Sequence, residues 1–263
     1  MKPYLMESEE EARRLVAQAR AHPVSQHLVT TGLSEGHAAL DAGCGPGVIT
    51  AVMAHQVGPS GSVVGLDLNP ERLAEARASC EPLPNCRFIQ ADVRTSGLPD
   101  ACFDYVWCQF VLEYLPRPET ALAELVRMTR PGGRVVVSEV DGVGTFNWPM
   151  SPVVQAGIPK FLQALASTGF DIHAGRKMYH LFRHAGLKDV RVHLSPLWVV
   201  AGAADSRLMR DWSIRLQTLE PVAAPAFGGL EAYREFSQAY LDLLCDEDAL
   251  KYSVLLVTEG RKP

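Results

Sequence analysis

Three glycines at alternate positions in Asp41-Ala-Gly-Cys-Gly-Pro-Gly47 restrict this chain more than any other stretch. They follow a short apolar run, His37-Ala-Ala-Leu40, and lead into Val48-Ile-Thr-Ala-Val-Met-Ala54, so the segment reads as a strand, a tight turn and a helix start. Glycine has no Cβ to block an approaching ligand and adopts positive φ without strain, so such a turn brings bare backbone close to something large. The spacing is GxGxG, and Val48 stands where a dinucleotide fingerprint would place its last small residue, which leans away from NAD. Asp41 at the head of the turn would repel a pyrophosphate and suit a cationic or amine-bearing ligand.

Further runs repeat the pattern of a short strand ending in an acid or a turn. Gly61-Ser-Val-Val-Gly-Leu-Asp67 comes first, then Cys86-Arg-Phe-Ile-Gln-Ala-Asp92 and Phe103-Asp-Tyr-Val-Trp-Cys108. Arg134-Val-Val-Val-Ser-Glu139 follows, entered through Arg130-Pro-Gly-Gly133. Together with the glycine turn, this order resembles the class I S-adenosylmethionine (SAM)-dependent methyltransferases, over residues 35 to 141. Within that family the pattern is similar to the small-molecule, ubiquinone/menaquinone-like group. The resemblance implies an α/β, Rossmann-like sheet of seven strands, mostly parallel with an antiparallel last strand, helices on both faces and a helical cap.

It also implies a cofactor site for SAM, with S-adenosyl-L-homocysteine as product. Asp41, Gly43, Cys44, Gly45 and Gly47 would form its glycine turn, and Asp67 would accept both ribose hydroxyls with Leu68 beside it. Asp92 would lie by the adenine amino group and Val93 by the ring, while Gln109 and Phe110 would reach the methionine end.

A chain of 263 residues, 47% hydrophobic and 21% charged, has ample apolar content for a full core. Its formal net charge of -5, with no Lys/Arg cluster, argues against a nucleic-acid partner. The cysteines at 44, 80, 86, 102, 108 and 245 contain no CxxC pair, so neither a zinc ribbon nor a redox motif is expected, and no metal. The first residues have no apolar signal core and no run is long enough for a membrane helix, so cytoplasmic location is expected, as a monomer or homodimer.

Taken in order, Ser8 caps a helix over residues 9 to 20 and a second, Val24 to about Thr30, completes a helical cap over residues 1–34. The methyltransferase domain is expected over 35–263. Asn69 and Pro70 start the helix after Asp67, and another runs from Glu119 to Arg130. Asp141 to Trp148 reads as a segment beyond the sheet edge, before helices from Pro152 to about Thr168 and from Gly175 to Gly186. Lys188 to Leu194 alternates as a sixth strand, a helical insertion spans about 203–248, and Tyr252 to Val257 resembles the family's seventh strand.

A sulfonium methyl is already electrophilic, so the protein mainly has to align a small organic acceptor behind it. A general base is needed only for an acceptor that is protonated at working pH. Asp141, directly after the fifth strand, and His173, in a polar turn opening a helix, are the candidate catalytic residues; histidine's ordinary pKa of about 6.5 suits a base near neutrality. Tyr4, His27, Asn147, Trp148, Arg176 and Trp212 are candidates for acceptor contacts. The rival readings are an aminopropyltransferase-like enzyme, a non-catalytic SAM-binding or scaffolding protein, and a dinucleotide oxidoreductase.

Overall fold

The computed structural model describes residues 24–263. The expected helix over 9 to 20 and the candidate Tyr4 lie outside the described residues. A single sheet carries the strands in the order β3-β2-β1-β4-β5-β7-β6. They are β1 Ala38–Ala42, β2 Ser62–Asp67, β3 Cys86–Gln90, β4 Phe103–Gln109, β5 Thr129–Trp148, β6 Lys188–Ala201 and β7 Leu250–Arg261. β1 pairs in parallel with β2 and β4, β2 with β3, and β4 with β5, whereas β7 runs antiparallel to both β5 and β6. This is the Rossmann-like arrangement that the sequence led us to expect.

The strands alternate their side chains between two apolar layers, as a pleated backbone requires. Ala39, Tyr105, Trp107 and Val136 face one layer, with Val24 and Leu28 of α1 (Val24–Thr30) and Met53 and Val57 of α2 (Val48–Val57). Leu40, Val106, Val135 and Val137 face the other, with Leu122 and Leu125 of α4 (Pro118–Met128) and Met178 and Phe182 of α6 (Ala174–His184). Between them in sequence, α3 (Pro70–Ser79) starts where Asn69 accepts hydrogen bonds from the amides of Glu71 and Arg72.

Two strands run further than the sequence suggests. The fifth was expected to end near Glu139, with Asp141 to Trp148 as a loop, because Gly142 and Gly144 look like breakers. Instead β5 continues to Trp148: β7 pairs with it from Asp141↔Val254 to Trp148↔Leu250, and the two glycines fall where the register shifts between Asp141 and Phe146. A bulge absorbs the glycines that a regular ladder would not tolerate. β6 likewise continues past Leu194 to Ala201. The third strand stops short, at Gln90, and Asp92 lies in the turn beyond it.

On this extension sits a third apolar cluster built from helices. It joins α5 (Pro152–Thr168), α7 (Ser206–Phe227) and α8 (Leu230–Cys245) through Val154, Phe161, Trp212, Leu216, Tyr233, Phe236 and Tyr240 to Val140, Val143 and Leu255 of the sheet. The helical insertion therefore covers the prolonged end of β5 and β7. Among the described residues no helix is long and apolar enough to cross a membrane.

Candidate active site

In parallel strands, equivalent ends share one edge, so the strand register decides which side chains meet. Asp41 pairs with Gly65 and Asp67 with Gln90. Ala42 pairs with Cys108 and Gln109 with Ser138. The glycine turn, Asp67, the residues after β3, Gln109 and Asp141 thus all emerge at the carboxyl edge, where open α/β sheets collect ligands.

The turn is fixed from both sides. Gly43 and Cys44 donate their amides to the Leu66 carbonyl at 2.7 and 3.0 Å. Gly43, Gly45 and Gly47 have φ of 79°, 51° and 81°, in the left-handed region. A methyl on Gly43 would stand 2.3 Å from Val111 Cγ2 and one on Gly47 2.9 Å from Ala76 Cβ, whereas one on Gly45 would meet nothing within 4 Å. Gly43 and Gly47 are therefore packing requirements, and Gly45 leaves an open face of backbone.

Asp67 reaches across to this turn. Its Oδ2 accepts from the Gly45 amide at 2.8 Å and its Oδ1 from the Asn69 amide at 2.9 Å. Each carboxylate oxygen keeps further lone-pair capacity. Next to it Leu68 is 44% exposed, an apolar side chain left at the rim of the crevice.

Asp41 is different from expectation. Its carboxyl is 2% exposed, turned under the loop to accept from Thr50 Oγ1 at 2.6 Å, so it does not stand open to a ligand. Burial is the main reason its pKa is pushed up to about 7. Cys44 is buried as well, and burial raises its thiol pKa.

After β3, Asp92 accepts from the Arg94 guanidinium, Nη2 to Oδ2 at 2.5 Å and Nε to Oδ1 at 2.9 Å, which holds its pKa below the usual carboxylate range. Arg94 was not anticipated, and it stands on the acid expected beside the adenine. Val93 is buried at 8% exposure. Gln109 is also 8% exposed, and its Oε1 has no hydrogen-bond partner among the described residues. Phe110 follows with φ of 56°, its amide donating to the Ser138 carbonyl at 3.1 Å.

Asp141, His173 and Arg176 come together. Arg176 Nε donates to Asp141 Oδ1 at 2.6 Å and its Nη2 to Oδ2 at 3.1 Å. His173 Nδ1 lies 3.6 Å from the same Oδ1, beyond hydrogen-bond length. The carboxylate is largely buried while the guanidinium is half exposed, so the pair presents a fixed cationic face.

The remaining expected contacts are scattered. Asn147 is buried and donates its Nδ2 to the Gly144 carbonyl at 2.9 Å. Trp148 is 76% exposed at the far end of β5. Trp212 is enclosed, packed against Tyr240 with ring centroids 4.7 Å apart, and lines a small apolar cavity with Val143, Phe161 and Phe236. His27 was expected in a lid; instead its Nε2 is hydrogen-bonded to Ser195 Oγ of β6 at 2.9 Å, since α1 packs on the flat of the sheet.

Two buried acids were given no role from the sequence, although Glu139 was noted at the end of its strand. Glu139 accepts the amides of Val111 and Leu112 at 3.1 and 2.8 Å. Glu113, in the short 3-10 turn Leu112–Tyr114, accepts from the Val140 amide at 3.4 Å. Both are raised by burial, Glu113 to about 7 and Glu139 well above its ordinary value. The sequence signal was faint: each is one acid in an otherwise apolar run.

The open Gly45 backbone, the acid on the neighbouring strand, an exposed apolar rim and an orphaned amide oxygen gather at one sheet edge of an α/β, Rossmann-like protein. The chemistry of these residues fits a SAM site: open backbone at Gly45, an acid at Asp67 with acceptor capacity to spare and a buried, unpaired amide oxygen at Gln109. Comparison with known proteins narrows the class. Residues 40–137 match the model of the family described as "Methyltransferase domain". The chain is 30% identical over 171 residues to a demethylmenaquinone methyltransferase of Bacillus licheniformis, covering 60% of this chain and 74% of that protein. It is 33% identical over 132 residues to the trans-aconitate 2-methyltransferase of Shigella dysenteriae, covering 50% of this chain and 48% of that one. An uncharacterised protein of transposon TN4556 from Streptomyces fradiae is 36% identical over 152 residues, and 43% of its length is spanned. The chain thus spans less than half of those last two relatives. In fold it is similar to a SAM-dependent methyltransferase from Aquifex aeolicus, at TM-score 0.56 and 16% identity over 96% of this chain and 98% of that one. A methyltransferase structure from Bacillus halodurans gives TM-score 0.60 and 16% identity over 91% of this chain and 99% of that one. The chain belongs to the SAM-dependent methyltransferase family.

Proposed function

We propose that this chain transfers a methyl group from SAM to a small organic acceptor, such as a natural-product intermediate, releasing S-adenosyl-L-homocysteine. One observation carries the reading: open glycine backbone, Asp67 and the orphaned Gln109 oxygen meet at one edge of the sheet. Relatives named for trans-aconitate and for demethylmenaquinone support a small acceptor over a macromolecule.

When bound, SAM supplies an electrophilic methyl on a sulfonium. The chain's own residues have three tasks. Asp67, already anchored by two amides, accepts hydrogen bonds from ribose hydroxyls at a charged group, worth about 1.5 to 3 kcal/mol. The Gln109 side chain supplies an acceptor in a dry environment, where an unpaired oxygen is costly and a partner strongly favoured. Helices α5, α7 and α8 exclude water along the prolonged end of β5.

The acceptor station is assigned to Asp141, His173 and Arg176. Arg176, oriented by its two bonds to Asp141, would receive an anionic or carbonyl group of the acceptor. His173 would take a proton from a hydroxyl or amine. Asn147 and Trp148 lie further along β5, and Trp212 acts through the packing of the cover. We further propose a cytoplasmic monomer or homodimer in which residues 35–263 form the methyltransferase domain, with 203–248 as its cover.

Incubating the purified chain with SAM and a panel of small acids, phenols and quinols, and following acceptor mass, tests this. Methylated product that disappears in His173→Ala and Arg176→Ala, with cofactor affinity retained, supports the station. Both variants turning over at the wild-type rate would place it elsewhere. Tight NAD binding with none for SAM would overturn the cofactor reading.

A further inference from the structure

The buried carboxyls of Glu113 and Glu139 do not touch the crevice, yet they stand where three parts of it join. Glu139, 0% exposed on β5, holds the amides of Val111 and Leu112. Those amides belong to the turn carrying Gln109 and Phe110, and Val111 of that turn lies directly on Gly43. Glu113, 2% exposed, receives the Val140 amide on its carboxyl and the Asp171 amide on its carbonyl at 2.7 Å. Asp171 opens the turn to His173, and Gly175 beyond it packs so closely that a methyl there would lie 2.8 Å from the Glu139 carbonyl oxygen. The diacid therefore ties the turn after β4, the end of the parallel part of β5 and the start of α6 into one unit.

We propose that Glu113 and Glu139 are a proton-sharing pair of positioning residues, which sets the Gln109–Leu112 turn, and through it the methionine end of the cofactor site. The inference rests on the SAM reading above. Two carboxyls side by side in a dry interior cannot both be charged. Burial raises both acids, and the second oxygen of Glu139 is buried with no other hydrogen-bond partner among the described residues while its first oxygen accepts the two amides, so that second oxygen is the atom left to carry the shared proton toward Glu113. The Tyr114 side chain also hydrogen-bonds Glu113 and Arg215 of α7 lies near enough to favour its charge. The Cys108 thiol of β4 is the titratable group beneath both acids, and it stays neutral because burial raises it. From the α6 side, the Asp171 carboxylate is engaged by Lys177 and Asp141 by Arg176, so neither is directed at the pair.

The test uses S-adenosyl-L-homocysteine calorimetry and ligand-free thermal melts on the whole chain. Glu139→Gln places an amide donor toward Glu113 and keeps a carbonyl oxygen for the two N–H groups, so it reproduces the protonated acid; affinity should stay within about twofold of wild type. Glu139→Ala abandons both amides and should weaken binding about tenfold, the scale of one such bond in a buried setting. A Glu139→Gln variant as weak as Glu139→Ala, or a folded Glu139→Ala as tight as wild type, overturns the proposal. If Glu139→Ala does not fold, the melts decide. A buried Glu113 raised above its unfolded value of about 4.3 binds its proton more tightly in the folded state, so stability falls as pH rises from there to about 7. Glu113→Gln should flatten that fall, and an unchanged slope refutes a titrating pair. Absence of S-adenosylhomocysteine binding in the wild type would instead sink the cofactor reading, leaving the melts to judge the pair.

Discussion

Asp67 engages two backbone amides before any ligand arrives, which makes it both a contact and a brace. Asp67→Ala should therefore weaken S-adenosylhomocysteine binding by about 1.5 to 3 kcal/mol or somewhat more, because the loss of a charge-assisted acceptor is joined by a loosened Gly45. Calorimetry on a variant with an unchanged melting profile reads this directly, and wild-type affinity would mean that the ribose binds elsewhere. Asp41 makes the opposite case. Its folded pKa of about 7 exceeds the unfolded value of about 3.9, so the folded state holds the extra proton between those pH values and stability is lost as pH rises through the window. Asp41→Asn, which can still accept from Thr50, should melt with a shallower decline over that range; a steeper one would show that the charge is favoured. At this scale the sequence was informative about Asp67, whose distance from the glycine turn is set by one strand–helix–strand passage. It misled about the direction of Asp41, which was expected to face the ligand. A strand-end acid faces either the crevice or the first turn of the next helix, and the choice depended on Thr50 being in reach.

Elements explain why similar glycines in one turn have different jobs. Gly47 lies where α2 meets α3, with Ala76 backbone 3.0 Å from any added methyl, so Gly47→Ala combines positive-φ strain of about 1 to 2 kcal/mol with a backbone clash. Gly45 has no such neighbour; Gly45→Ala should cost only about the 1 to 2 kcal/mol of its backbone conformation in stability, yet lose most cofactor affinity by covering the open face. Melting and S-adenosylhomocysteine calorimetry run side by side separate the two, and equal effects at both positions would refute the distinction. The strand–turn–helix reading of this region needed only local pattern. The reach of β5 did not follow from local pattern, since Asp141-Gly-Val-Gly reads as a loop until β7, more than a hundred residues later, supplies partners as far as Leu250. Nor did the place of α1, whose few residues carry no mark of which surface they cover.

For the whole molecule, the chemistry expected is metal-free. Among the described residues no group of three or more His, Cys, Asp or Glu side chains is placed to hold an ion. Methyl transfer by the purified chain should be unchanged by EDTA, whereas loss in chelator and recovery with Mg²⁺ would point to a metal-assisted acceptor site. The candidate cofactor half could be laid out from the sequence because its parts sit at strand ends in fixed order. The acceptor half was not, because it is built from helices whose apolar faces could close over many different groups. The last strand shows how such a chain avoids a wrong assembly. β7 arrives at the end of the sequence yet lies between β5 and β6, and Lys251 within it is fully buried, its ammonium donating to the carbonyls of Gly202, Leu243, Leu244 and Asp246. A slip of one residue would turn that ammonium out of its ring of carbonyls and put Tyr252 in its place. The lysine therefore acts as a key cut to the end of α8, tying the register of the last strand to the place where that helix ends.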